Sequence, residues 1–162
     1  MKIGVLADTH IPIQANDIPK KVYDILSDVD LIIHAGDVVN MDFLKRLKEI
    51  AEVKAVHGNM DSSEVRKALP DKEVLECNSF KIGVTHGSGP PIKQLESLKS
   101  YFNEKVNVII FGHSHVPVNE TINGILYFNP GSPTDTVFAP YKSVGILEIN
   151  GTVSGTIIPL ET

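Results

Sequence analysis

The sequence predicts an α/β fold in which a mixed, strand-rich core is flanked by helices. In the first half of the chain, short apolar runs alternate with stretches that have the hydrophobic spacing of helices. In the second half, strands and hairpin turns dominate. The 162 residues suit one domain over residues 1–162 and leave no room for a second domain of ordinary size.

The first half contains the pattern of two successive β-α-β units. Three apolar runs have the length of buried strands, and two amphipathic stretches lie between them. The strands are predicted at residues 2–7, 31–35 and 53–56, and the helices are predicted to start at Asp17 and at Asn40 or Asp42. Because β-α-β crossovers join parallel strands in a right-handed sense, this half predicts a parallel sheet.

The second half is richer in strands and carries two turn signals. Asn123-Gly124 and Asn150-Gly151 are dipeptides that favour two-residue hairpin turns. Strands are predicted at residues 74–76, 81–85, 106–111, 125–128, 144–149 and 153–159, with one helix at residues 91–104. Two sheets packed face to face would bury strands of this kind well.

Charge and composition limit the partners. The formal net charge is −5, because 20 acidic residues outnumber 15 basic ones, so the basic footprint of a duplex-binding protein is missing. The apolar run at the N-terminus stops at Asp8, which is too short for a signal peptide, and no run is long enough to span a bilayer. We expect a cytoplasmic protein that binds no membrane and no long nucleic acid; Cys77 is the single cysteine and has no disulfide partner in the chain.

Polar residues follow five of the predicted strands, in short clusters. The carboxyl ends of strands in open α/β sheets are where ligands bind, so we expect the clusters to converge. The residues concerned are Asp8, His10, Asp37, Asn59, His86, His113 and His115. Taken singly, each has a common structural explanation, such as a turn or a hydrogen-bonded histidine. Their succession at strand ends favours a shared site.

The donor types in this set predict a metal site. Imidazole suits transition metals, and carboxylates suit Mg²⁺ or Mn²⁺. Seven donors exceed the needs of one ion of four to six coordination, whereas two ions that share a bridging carboxylate would use them all. Asp8 and His10, like His113 and His115, are separated by one residue, so in extended backbone each pair would face the same side.

The order of these motifs carries a family resemblance. Asp-x-His, Gly-Asp, Gly-Asn-x-Asp, His-Gly and Gly-His-x-His follow one another between Asp8 and His115, and Asn129-Pro130-Gly131-Ser132 comes after them. This set resembles the calcineurin-like metallophosphoesterase family, in particular its small bacterial and archaeal phosphodiesterase branch, which is related to the small subunit of retromer. The resemblance implies a four-layer α/β/β/α sandwich of two mixed β-sheets flanked by helices.

The resemblance also implies a ligand assignment and an activity. One metal ion would take Asp8, His10 and His115, the other would take Asn59, His86 and His113, and Asp37 would bridge both. The ions would be two divalent transition metals, from among Mn, Ni, Fe, Zn and Co. The implied activity is hydrolysis of small phosphodiesters by attack of a metal-held hydroxide.

One position departs from the family pattern. Many members carry a histidine after Gly-Asn, implicated in protonating the leaving group, whereas this chain has Met60, which donates no proton. We therefore expect a preference for esters with good leaving groups. Asp61 is expected either to orient a ligand from behind or to cap a helix that follows it.

The remaining polar positions leave several alternatives open. His34 and His57 are expected to have structural roles, and residues 133–142 could border the substrate, form a dimer contact or be a plain surface loop. The alternative to an enzyme is a non-catalytic metal-binding scaffold for protein interactions, of the retromer-subunit type. Such a scaffold can lose histidine ligands, and all seven positions are filled here. A small phosphodiester is the expected substrate, and a homodimer is left open.

Overall fold

The computed structural model describes residues 1–161, apart from the side chains of Ile92 and Glu96. Its first sheet has five strands in the spatial order β10-β9-β1-β2-β3. The strands are β1 Lys2–Leu6, β2 Leu31–His34, β3 Glu52–Ala55, β9 Ser143–Ile149 and β10 Val153–Pro159. Strands β1, β2 and β3 are parallel, as the β-α-β pattern predicts, and β9 runs antiparallel beside β1.

The second sheet has five strands in the order β4-β5-β6-β8-β7. The strands are β4 Lys72–Cys77, β5 Phe80–Thr85, β6 Val108–Ile110, β7 Val118–Ile122 and β8 Ile125–Asn129. Strands β5, β6 and β8 are parallel, whereas β4 and β7 are antiparallel edges. The predicted two-residue hairpin turn at Asn123-Gly124 is confirmed between β7 and β8, with φ values of 50° and 79°. Asn150-Gly151 also lies in a hairpin, between β9 and β10, but Ile149 pairs with Val153, so this loop has the three residues 150–152.

Four helices connect the strands in the described part of the chain. They are α1 Lys20–Leu26, α2 Met41–Lys48, α3 Ser63–Ala68 and α4 Pro91–Leu98, and a 3-10 turn at Lys99–Tyr101 follows α4. Asn40 caps α2 through a hydrogen bond from the Asp42 amide, as predicted.

The predicted cap of the first helix is wrong. Helix α1 starts after Pro19, not at Asp17. The carboxylate of Asp17 instead accepts a hydrogen bond from the Tyr23 hydroxyl and pairs with Arg46, so it ties α1 to α2. The helix predicted at residues 91–104 is also shorter, because its last turns tighten into the 3-10 turn.

The layers follow from strand alternation. Ile3 and Val5 on β1 face Ile82 and Ile110 of the other sheet, in a core between the two sheets. Residues of the opposite parity face outward, toward helices. On the first sheet Leu6 and Ile32 pack against α1 and α2, and on the second sheet Ile109 packs against Leu98 of α4. The result confirms the four-layer α/β/β/α arrangement.

Candidate metal centre

Seven predicted side chains meet at one edge of the two sheets. The edge consists of the loops that leave the carboxyl ends of β1, β2 and β3 in the first sheet and β5 and β6 in the second. The structure brings together Asp8, His10, Asp37, Asn59, His86, His113 and His115. Both sheets therefore contribute to one cluster.

The first set of donors surrounds the carboxylate of Asp8. Its Oδ1 atom lies 3.5 Å from His115 Nε2 and 4.0 Å from His10 Nε2. All three residues are buried, and their ligand atoms lie within 4.8 Å of one another. We call Asp8, His10 and His115 the Asp8 group.

The second set surrounds the side-chain oxygen of Asn59. Its Oδ1 atom lies 3.1 Å from His86 Nε2 and 3.2 Å from His113 Nδ1. His86 is buried, His113 is half-buried and Asn59 is exposed. We call Asn59, His86 and His113 the Asn59 group.

Asp37 lies between the two groups. Its Oδ2 atom is 3.6 Å from His10 Nε2 and 3.2 Å from His86 Nε2, while its Oδ1 atom accepts a hydrogen bond of 2.8 Å from the Met60 amide. Asp8 is also close to a residue of the Asn59 group, since its Oδ1 atom is 3.9 Å from His86 Nε2. The two groups thus form one continuous cluster with Asp37 at its centre.

The backbone that carries these residues is bent into the left-handed region. Five of the seven have positive φ: Asp8 (52°), His10 (46°), Asp37 (58°), His113 (71°) and His115 (59°). The extended backbone expected for the Asp-x-His and His-x-His pairs is therefore wrong. Each pair still faces one site, because these bends follow the strands directly and turn both side chains inward. Such conformations cost on the order of 1–3 kcal/mol each and accumulate at functional sites.

Two glycines of the motifs are explained by the space beside them. Gly36 has a φ of 97°, which an L side chain rarely adopts, and a Cβ there would lie 2.6 Å from His86 Nδ1. A Cβ on Gly58 would overlap the carboxylate of Asp37. A side chain at either position would push one of the cluster residues away, so the loops can approach this closely only with glycine.

The tautomers of two histidines follow from their hydrogen-bond partners. Nδ1 of His86 lies 2.8 Å from the carbonyl oxygen of Ala35, and Nδ1 of His115 lies 2.6 Å from Oδ2 of Asp135. Both partners are acceptors, so each Nδ1 donates and, in the neutral ring, each Nε2 keeps its lone pair. Those lone pairs point at the carboxylates of the cluster, the orientation found in histidine metal ligands.

Asp135 is a functional residue that the sequence did not reveal. It is buried and also accepts hydrogen bonds from the backbone amides of Val137, Phe138 and Ala139. One carboxylate therefore fixes both the ring of His115 and the loop that follows. The only signal was its position shortly after the Asn-Pro-Gly-Ser motif, which does not show what the residue contacts.

Asp61 does not cap α3; that role falls to Ser62. Its carboxylate accepts hydrogen bonds from the amides of Asp37 (3.0 Å), Val39 (2.5 Å) and Gly58 (2.6 Å). It therefore joins the loop after β2 to the loop after β3. The expectation that Asp61 supports a loop from behind agrees with these contacts.

The two remaining histidines lie outside the cluster. His34 is fully buried, its Nδ1 accepts from the Gly36 amide and its Nε2 lies 3.0 Å from the Thr9 hydroxyl. The Gly36 amide is a donor, so Nδ1 carries no proton and Nε2 must donate to Thr9. His57 is half-buried and, with Arg66, lines a second cavity that Asn59 and His86 of the cluster also line.

Carboxylates dominate the electrostatics of the cluster. Burial lowers the pKa of His86 and His115, but the carboxylates of Asp37 and Asp8 around His86, and of Asp8 and Asp135 around His115, raise each pKa to about 9. Burial alone would raise the pKa of Asp37, yet the contact with His86 lowers it. The cluster thus stabilises positive charge at its centre, which a cation would supply.

Comparison with known proteins identifies the family. Residues 1–152 match the sequence profile of the calcineurin-like phosphoesterase superfamily domain. The chain belongs to the calcineurin-like phosphoesterase superfamily. The family resemblance seen in the motif order is therefore confirmed.

Relatives of this phosphoesterase include a protein from Methanocaldococcus jannaschii named as a probable metallophosphoesterase. The two are 44% identical over 163 aligned positions, and the alignment covers 99% of this chain and 82% of the relative. Among solved structures, an archaeal phosphodiesterase has a TM-score of 0.74 at 28% identity and covers 98% of this chain and 100% of its own. Zinc-complexed Vps29 from Entamoeba histolytica has a TM-score of 0.79 at 27% identity, with 98% and 99% covered.

The residues of this phosphoesterase fit the divalent metals that its family uses. In the described part of the chain, His10 Nε2 is the one buried side-chain nitrogen or oxygen that has no hydrogen-bond partner. A buried polar atom without a partner costs free energy, and the nearest carboxylates are too far away to bond it. Imidazole nitrogen and carboxylate oxygen are suitable ligands for transition-metal ions, so a cation among these groups would satisfy the atom.

A cavity of about 560 Å³ opens beside the candidate metal centre of this phosphoesterase. Its floor is formed by His10, Asp37, Asn59, His113 and His115. Its wall is mainly apolar and includes Ile13, Met60, Pro91, Val116 and Phe138. Within the described residues no Lys or Arg lines it. The volume is in the range of roughly 300–1,000 Å³ that small-molecule pockets have.

None of the helices that the structure describes has the length and apolar character needed to cross a membrane.

Proposed function

We propose that the protein is a two-metal phosphodiesterase that hydrolyses small phosphodiesters. The observation that carries the proposal is the cluster itself: seven donors of the types that divalent metals prefer converge around Asp37. Membership of the phosphoesterase superfamily supports the same reaction class. A single domain, a homodimer and a cytoplasmic location remain predictions.

The donors divide naturally between two ions. One ion would be held by Asp8, His10 and His115, the other by Asn59, His86 and His113, with Asp37 shared. Manganese, nickel, iron, zinc and cobalt all suit this donor set. Bound there, divalent cations supply positive charge for the phosphate oxygens and lower the pKa of a coordinated water.

The chain's own residues hold and shield this arrangement. Hydrogen bonds from Asp135 and from the Ala35 carbonyl fix the rings of His115 and His86, so little reorganisation is needed when ligands bind. In the net reaction, a water oxygen forms a bond to phosphorus while the bond from phosphorus to the leaving oxygen breaks. The water proton passes to solvent.

The charge of the cavity favours diesters over monoesters. A phosphomonoester carries about −1.5 to −2 charges at neutral pH, whereas a diester carries only one. Within the described residues, the cavity has no Lys or Arg that would pair with a second negative charge. The donors on the floor, with the cations that they would hold, can therefore balance the single negative charge of a diester without a basic side chain on the wall.

The leaving group should be a weak base. Met60 lines the cavity and its backbone amide is already bonded to Asp37, so this position supplies no proton to the departing oxygen. A nitrophenolate leaves readily without protonation, whereas an alkoxide does not. We expect nitrophenyl esters to be cleaved and simple dialkyl phosphates to be nearly inert.

The test uses metal-stripped protein to which Mn²⁺, Ni²⁺ or Zn²⁺ is returned. We expect metal-dependent release of nitrophenol from bis(4-nitrophenyl) phosphate, faster than from 4-nitrophenyl phosphate. Asp37→Asn should lower kcat by on the order of a hundredfold or more, as loss of a preorganised charge does. Asp24→Asn is the matched control, since Asp24 is exposed on α1. Metal binding without hydrolysis of any ester would contradict the proposal.

A scaffold function is the second candidate, and the similarity to Vps29 structures favours it. The apolar side chains exposed around the cavity would then contact a protein. The same experiment separates the two functions, because a scaffold would bind metal ions and release no nitrophenol.

A further inference from the structure

We infer that the apolar wall of the cavity is a binding subsite for an aromatic or aliphatic ester group of the substrate. This inference rests on the proposed function and names the substrate class: a singly charged phosphodiester that carries at least one bulky apolar group. Nucleotide chains and sugar phosphates, whose groups are polar or highly charged, are disfavoured by the same wall.

The first observation is the exposure of large hydrophobic side chains around the cavity. Ile13 is 69% exposed, Met60 is 54% exposed and Phe138 is 72% exposed. They are three of the seven large hydrophobic side chains that are exposed in the described part of the chain. All three line the cavity that is also lined by His10, Asp37, Asn59, His113 and His115 of the cluster. Clustered apolar exposure of this kind marks a binding surface.

The second observation is that the wall is built and held in place. The carboxylate of Asp135 accepts hydrogen bonds from the backbone amides of Phe138 and Ala139. The ring of Phe138 packs edge-on against the His115 ring, with the two centroids 6.1 Å apart. Ile13 follows His10 by three residues, on a loop secured by a hydrogen bond from the Gln14 amide to the His10 carbonyl. The wall is therefore fixed to the same loops that carry the cluster.

The third observation is the arrangement of charge. The cavity lining combines five donors of the cluster with the five apolar side chains of the wall, and its other lining residues are Gln14, Gly89 and Ser114. A phosphate group placed over the floor would direct one ester substituent along the wall. An apolar substituent gains free energy there by leaving water, whereas a charged one finds no Lys or Arg partner.

The test compares two singly charged probes that have only P–C bonds to their substituents and so cannot be hydrolysed, methyl(phenyl)phosphinate (the phenyl probe) and dimethylphosphinate (the methyl probe), by calorimetry with metal-loaded protein. We expect the phenyl probe to bind roughly tenfold more tightly, because a buried aromatic group contributes at least that much. Phe138→Ala and Ile13→Ala should each reduce this ratio to about twofold or threefold, while affinity for the methyl probe stays nearly unchanged.

The control is Val137→Ala, which should leave the ratio unchanged. Val137 is 76% exposed beside Phe138 but does not line the cavity. A second readout is methyl NMR, in which the phenyl probe should shift the signals of Ile13 and Met60 and leave that of Val137 in place. Ile13→Ala removes an apolar group without touching the Phe138–His115 contact, so it covers the case in which Phe138→Ala disturbs the metal centre.

Three outcomes would overturn the inference. The two probes bind equally; or the ratio does not respond to either wall variant; or Phe138→Ala changes the oligomeric state in size-exclusion chromatography, which would assign the wall to a protein contact. Failure of the proposed function is distinguishable, because it appears as absent nitrophenol release while the phenyl probe is still preferred.

Discussion

The Asp8 group and the Asn59 group use similar donor atoms at very different exposure. Asp8 is fully buried, and both of its histidines are at most 8% exposed. In the other group Asn59 is exposed and His113 is half-buried. A cation among the buried donors would be shielded from solvent, whereas a cation beside Asn59 would face solvent. From this difference in burial we expect an ion in the Asp8 group to be retained more tightly than an ion in the Asn59 group.

The buried carboxylates behind the two groups differ as well. Asp135 bonds directly to the ring of His115, so it acts on a donor of the Asp8 group. Asp61 bonds only to backbone amides, so it acts on the positions of two loops. The first should influence metal affinity, and the second should influence stability.

The largest predicted changes are in affinity for metal ions, and they differ between the Asp8 group and the Asn59 group. His115→Ala should weaken retention of the more tightly held ion by on the order of a hundredfold, since even loss of an outer partner costs roughly 10–100-fold. His113→Ala should release the weaker ion and leave the tight one in place. Metal content after dialysis against a graded chelator series measures both losses.

The matched control for these variants is His57→Ala, because His57 is a half-buried histidine outside the cluster. Equal loss of both ions from the two variants would mean that exposure does not set retention. The comparison between the groups would then fail.

An intermediate effect is expected behind the Asp8 group. Asp135→Asn should lower affinity for the tight ion by roughly 10–100-fold, because the carboxylate that orients His115 loses its charge. Asp61→Asn should instead leave that affinity nearly unchanged and lower the free energy of unfolding by about 1–3 kcal/mol. Chelator competition gives the first quantity, and urea unfolding of metal-free protein gives the second. If Asp61→Asn lowered metal affinity and Asp135→Asn lowered only the free energy of unfolding, the roles assigned to the two carboxylates would be wrong.

The smallest predicted effect is a change of stability with pH caused by His34, which is fully buried and contacts the Thr9 hydroxyl between Asp8 and His10. Burial, assisted by the charges of His86 and His10, lowers the pKa of His34 to about 3 against the opposing effect of Asp37. Between about pH 6.5 and pH 3 the unfolded chain therefore binds a proton that the folded chain does not. This contribution to stability is complete above about pH 6.5 and is lost as the pH falls.

His34→Asn removes that dependence while keeping an acceptor for the Gly36 amide. The wild type should be the more stable protein at about pH 8, and the difference in free energy of unfolding should narrow by about 1.4 kcal/mol by about pH 5.5. Urea unfolding in chelator measures it without interference from metal binding. If the free energies of unfolding of the wild type and His34→Asn changed in parallel with pH, the lowered pKa of His34 would be contradicted.

Much of the fold was predictable because its signals are local. Short apolar runs set the strands, and the β-α-β rule set the parallel order of β1, β2 and β3. The seven cluster residues were also predictable, since each stands at a strand end. The cap at Asp17 failed because a distant partner, Arg46, competes for its carboxylate.

The rest depends on contacts between remote parts of the chain. The bond from His115 to Asp135 requires the loop after β8 to pack against the loop after β6, and no local pattern encodes that. The residues with left-handed backbone at Asp8 and His113 are joined by a hydrogen bond from the His113 amide to the Asp8 carboxylate, across 105 positions of sequence. The apolar wall likewise joins residues from five separate segments of the chain.

The division of the donors between two sheets has a consequence for biosynthesis. Asp8, His10, Asp37 and Asn59 belong to the first 59 residues, whereas His86, His113 and His115 follow later. The Asn59 group is complete only after His113 has been synthesised and the Asp8 group only after His115, and both require that the second sheet has docked. An ion that arrived before the second sheet had been made would therefore meet only Asp8 and His10 of the Asp8 group and only Asn59 of the Asn59 group, together with Asp37.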